Sequence, residues 1–92
     1  MTSKTVTVVN QLGMHARAAA KFVHLATRYE SRVRVARPGR EMDGKSIMGL
    51  LLLAAANGTK VTISAEGADE QAVVEALAAL IEGGFGEDLC SA

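Results

Sequence analysis

The chain has 92 residues, 49% hydrophobic and 22% charged, which is the balance of one small folded domain and excludes a multidomain enzyme or a disordered tail. Ten basic residues against ten acidic ones give a formal net charge of zero, so no whole-molecule field draws it to nucleic acid or anionic lipid. Phe22, Tyr29 and Phe85 are the aromatic residues and Trp is absent, which argues against the stacking platforms of RNA or single-strand readers.

The opening residues lack the charged-then-apolar order of a secretory signal, and the longest wholly apolar run, 50–56, is too short to cross a bilayer. Cys90 has no second thiol for a disulfide or a metal motif. A cytoplasmic protein is expected. Thr5, Val6, Thr7, Val8 and Val9 alternate polar and apolar β-branched residues before a turn at 10–13, predicting a strand that ends near Val9. From Ala16 the period becomes helical, with Ala19, Phe22, Val23 and Ala26 on one stripe, predicting a helix over 16–29. Residues 32–37 alternate again, and Pro38-Gly39 turns the chain into 40–43, predicting two antiparallel strands.

Ser46 reads as a hydroxyl N-cap before an almost wholly apolar helix that stops at Asn57-Gly58. Residues 59–65 form a fourth alternating strand with Val61, Ile63 and Ala65 on one face. Asp69 is expected to cap a last helix through Glu82, with Gly83 ending it and a tail from about residue 84. The order β-α-β-β-α-β-α over a single domain, 1–92, predicts an α+β fold in which helices cover one face of an antiparallel sheet. Thr5, Thr7, Arg32, Arg34, Thr62 and Ser64 supply the polar residues of the wetter face.

His15 lies between a glycine turn and the first helix, where the backbone N–H groups of Ala16 and Arg17 have no carbonyl within the helix to reach. A helix N-terminus and the planar guanidinium of Arg17 favour an anion there. The same field would stabilise a phosphoryl group once attached to the ring. A capping or surface histidine is the plainer alternative, and His24, on a solvated face, reads as structural.

The segment Leu12-Gly13-Met14-His15-Ala16-Arg17-Ala18-Ala19, together with Gly44-Lys45-Ser46-Ile47-Met48-Gly49-Leu50-Leu51, resembles the HPr family, the histidine-containing phosphocarriers of the bacterial phosphotransferase system. The resemblance runs from the first strand to the last helix and implies an open-faced sandwich of four antiparallel strands and three helices. It implies that His15 accepts a phosphoryl group on Nδ1 from enzyme I, attended by Arg17, and passes it to an EIIA-type domain. The phosphate would come originally from phosphoenolpyruvate. Ser46, in its Lys-Ser-Ile-Met-Gly context, would be the site modified by HPr kinase/phosphorylase. Ile47, Met48 and Leu51, with Ala20 on the first helix, would form a partner-docking patch, while Leu50 and Leu53 read as core. No cofactor or metal is implied, and a monomer is expected.

Ala18 stands where the family usually has proline. The 10–14 opening and the Gly-Phe-Gly-Glu-Asp ending resemble the nitrogen-related branch, whereas the Ser46 context resembles the kinase-regulated sugar branch. A purely regulatory paralogue and a ferredoxin-like module binding a small ligand without covalent chemistry are the alternatives.

Overall fold

A computed structural model describes residues 1–86. Its elements are β1 (Thr2–Thr7), α1 (Ala16–Ala26), β2 (Arg32–Arg37), β3 (Arg40–Asp43), α2 (Ile47–Leu53), β4 (Lys60–Glu66), α3 (Glu70–Glu82) and a 3₁₀ turn, Gly84–Gly86. The four strands form one antiparallel sheet in the order β1-β4-β2-β3.

Alternation along the strands turns Val6, Val33, Val35, Val61, Ile63 and Ala65 toward the helices, where all are buried. Against them pack Ala19, Phe22, Val23 and Ala26 of α1 and Val73, Val74, Leu77, Ala78 and Ile81 of α3. The opposite face is wetter: the Thr5 and Thr62 hydroxyls pair across the strands at 2.9 Å, and Arg34 bonds Glu41 at 2.8 Å. The sheet thus has one dry side and one polar side, as the alternation predicts.

Besides β1, which ends at Thr7 rather than near Val9, four features differ from the sequence expectation. Helix α1 ends at Ala26 rather than at residue 29, because Arg28 and Tyr29 donate to carbonyls only three residues back and tighten the last turn. Ala54 takes the left-handed conformation (φ 54°, ψ 42°) and ends α2 three residues before Asn57. Asp69 occupies the N-cap position of α3 but does not cap it. Its carboxylate instead accepts from the backbone N–H groups of Glu30 and Ser31, each at 2.9 Å, and from the Ser31 hydroxyl.

The fourth difference is the expected tail. Residues 84–86 are folded onto the domain: Phe85 is buried in the core, and its carbonyl accepts from Lys21 Nζ at 2.7 Å. An apolar side chain three residues beyond the α3 boundary is enough to pull the turn inward. Cys90 lies outside the described residues.

Candidate functional site

The site is built where β1 leaves the sheet. Val8 continues the strand direction, its N–H donating to Thr59 at 2.9 Å and its carbonyl accepting from Gly58 at 2.8 Å. The chain then folds over the end of α2, with the Met14 N–H donating to the Ala55 carbonyl at 2.8 Å. Gly13 makes that approach feasible. At φ 67° it sits so close that a Cβ would lie 2.6 Å from the Ala55 oxygen and 2.9 Å from the Ala56 Cα.

His15 follows as the N-cap residue of α1 in an extended conformation (φ −77°, ψ 177°), its carbonyl taking the first helical bond from Ala19 at 2.8 Å. Its ring does not cap the helix. The half-exposed imidazole therefore stands at the positive end of an eleven-residue helix whose first turn contains no acid, with Arg17 exposed in that same turn. Ala16 is exposed, Ala20 is half-buried, and Ala18 is fully buried.

Helix α2 packs against α1. Ser46 caps it as the sequence predicts, its hydroxyl oxygen accepting from the Gly49 N–H at 3.0 Å. Leu50 and Leu53 are fully buried, while Ile47, Met48 and Leu51 are 42, 65 and 37% exposed. Leu52, also on α2, and Leu12, in the loop before His15, are 54 and 71% exposed and lie outside the residues singled out from the sequence. The spacing held the signal for Leu52: with Leu50 and Leu53 facing inward, helical geometry turns it outward. His24 is exposed on α1, away from the stripe that packs inward.

The sequence reading also missed the arginines of the β2–β3 hairpin. Arg37 Nε donates to the Leu53 carbonyl, and Arg40 Nη1 donates to that of Leu52 at 2.6 Å. Arg37 and Arg40 face each other in strand register, normally an unfavourable like-charge pair. Here both guanidiniums meet the last carbonyls of α2, which are partially negative and lack helical partners.

Among the described residues no group of His, Cys, Asp and Glu could hold a metal ion, and no helix is long and apolar enough to cross a membrane. A groove of about 490 Å³ runs along the open face between Glu30, Arg32, Asp43, Lys45 and Glu66, and His15 does not line it.

The family model described as PTS HPr component phosphorylation site matches residues 2–83. The phosphocarrier protein HPr of Cupriavidus necator is 48% identical over 87 residues, covering 95% of this chain and 98% of the relative. Among solved structures, HPr-C-His from Thermoanaerobacter tengcongensis superposes with a TM-score of 0.92 at 42% identity, over 97% of this chain and 100% of that one. An HPr dimer from the same organism aligns at 41% identity with a TM-score of 0.75, over 95% and 100% of the two chains. With its sheet order, its His15 loop and these likenesses in agreement, the chain belongs to the HPr family of the phosphotransferase system.

Proposed function

We propose that the protein is a phosphocarrier in which His15 Nδ1 accepts a phosphoryl group from phospho-enzyme I and hands it to an EIIA-type domain. The observation that carries this reading is the placement of His15: a half-exposed imidazole at the N-terminus of α1, not used as a cap, with Arg17 in the first turn. In the transfer the Nδ1 lone pair attacks phosphorus as the bond to the donor breaks. The first-turn N–H groups of Ala16 and Arg17 and the Arg17 guanidinium stabilise the charge on the phosphoryl oxygens before and after transfer. A phosphorus–nitrogen bond is labile enough for the group to move on, so the protein is regenerated rather than consumed. The chemistry takes place in the cytoplasm, on a monomer.

Ile47, Met48 and Leu51, flanked by Ala20, form the docking surface that successive partners share. Met48 is the adaptable side chain such a surface uses. Phosphorylation of Ser46 by HPr kinase/phosphorylase would leave the anion at a helix N-terminus, where the helix tolerates it, while adding about −2 of charge beside the docking surface. Its effect is weaker transfer from enzyme I rather than unfolding.

Intact mass after incubation with purified enzyme I and phosphoenolpyruvate tests the reading, with His15→Ala run alongside. One acid-labile phosphate on the wild type and none on the variant is expected. A wild type without phosphate, or a phosphorylated variant, contradicts it.

A further inference from the structure

Asn57 is an exposed residue of the turn between α2 and β4, and its side chain reaches back across to the loop that carries His15. Its amide nitrogen donates to the carbonyls of Val9 and Asn10, at 3.0 and 3.2 Å. The Asn10 carbonyl also accepts from the Gly13 N–H at 3.2 Å. The Gly13 carbonyl in turn accepts from Asn10 Nδ2 at 2.7 Å and from the His15 N–H at 3.0 Å. An unbroken run of hydrogen bonds thus links the Asn57 amide to the backbone of His15. An amide nitrogen with two hydrogens suits this place, because it meets two carbonyl oxygens at once.

Besides the buried Asn10 side chain, backbone groups anchor the loop: Met14 to Ala55, Gly58 to Val8, and the close seat of Gly13 on Ala55 and Ala56. These set how far the loop lies from α2. The Asn57 bonds act on a different stretch, the segment from Val9 to Asn10 that leads into the glycine turn. In-line transfer depends steeply on the position of the attacking atom, and small displacements of a reacting group cost rate rather than binding.

We propose that Asn57 is a positioning residue for phosphoryl transfer, clamping the Val9 and Asn10 carbonyls so that the loop presents His15 in the attacking geometry. The proposal rests on the reading of His15 as the phosphoryl acceptor. Asn57 touches no reacting atom and acts only through the loop.

The test compares wild type with Asn57→Ala, Asn57→Asp and Asn57→Gln as substrates of purified enzyme I with phosphoenolpyruvate. Amide exchange at Gly13 and Met14 is followed by NMR on the unphosphorylated proteins. Asn57→Ala is expected to lower kcat about tenfold while KM stays within about twofold, and to speed exchange at both amides. Asn57→Asp, which aims carboxylate oxygens at two carbonyls, lowers kcat further, and Asn57→Gln, which keeps the donors, recovers part of it. Wild-type kcat in the Ala and Asp variants overturns the proposal, as does a loss confined to KM. A wild type that takes no phosphate refutes the His15 reading instead, and the exchange rates then judge the clamp alone: unchanged exchange in Asn57→Ala overturns it.

Discussion

At the end of the sheet where β1 begins, two neighbouring carboxylates are directed into the fold. Asp69 ties down the chain at Glu30 and Ser31, and Glu70 accepts from the Thr2 hydroxyl, the Gly67 N–H and the Met1 ammonium at 3.1 Å. At the end where β1 leaves the sheet, Arg17 is exposed and Leu12 stands in solvent within the turn that closes at Gly13, while α2 presents four apolar side chains outward. The first end uses its polar groups to close the domain; the second leaves chemistry and apolar area available to a partner. On the proposed reading of the docking surface, stability and recognition are separated along the strands, and substitutions at the two ends should separate in the same way.

The sharpest contrast is expected from the docking surface. Met48→Asp places a charge in the apolar patch and should raise KM for transfer from enzyme I at least about tenfold. Its unfolding free energy should stay within about 0.5 kcal/mol of wild type, since the side chain is largely exposed. Steady-state transfer and denaturant titration on the same preparation check both halves. An unchanged KM would remove α2 from the recognition surface.

The opposite end should behave in reverse. The Ser31 hydroxyl, followed by the Glu30 N–H, holds the Asp69 carboxyl below its ordinary value, and the Thr2 hydroxyl, followed by the N-terminal ammonium, does the same for Glu70. A carboxylate whose value is lowered by folding contributes stability that is fully present above the unfolded-state value. That contribution disappears as pH falls through the folded-state value. Wild type should therefore lose stability progressively below about pH 4. Asp69→Asn should lower the unfolding midpoint by several degrees at pH 7, flatten the acid limb and leave kcat for transfer unchanged. Thermal melts from pH 3 to 7 measure the first two effects, and an acid limb as steep as wild type would contradict this account of Asp69.

The smallest effect belongs to Ala54, which ends α2 in the left-handed conformation with φ 54°. Glycine removes the steric cost of that conformation, partly offset by greater freedom in the unfolded chain. Ala54→Gly should stabilise the protein by less than about 1 kcal/mol. A lower melting temperature would show that the Ala54 methyl group makes a contribution larger than the strain it carries.

The element order and the buried faces were legible because they depend on period. Val33 and Val35, Val61 and Ile63, and Phe22 and Val23 declare their sides by spacing alone. Ser46 was legible as a cap because a hydroxyl before a run of strong helix formers has one local use. The motif drew attention to His15 and Arg17, and α1 begins between them at Ala16. What the sequence concealed is long-range: Asp69 looks like a cap until Ser31, 38 residues away, is brought beside it. Arg37 and Arg40 look like strand charges until the end of α2 arrives above the hairpin, and Phe85 looks like tail until α1 and α3 make room for it. Local spacing carries no information about such meetings.

The most direct test of the central claim is to locate the phosphate by nitrogen–phosphorus correlation NMR on protein phosphorylated with enzyme I and phosphoenolpyruvate. The account predicts a single phosphoryl group on His15 Nδ1, with the Ala16 and Arg17 amides shifted by the new anion. A phosphate on His24, or on Nε2 of His15 with those amides unmoved, would contradict it.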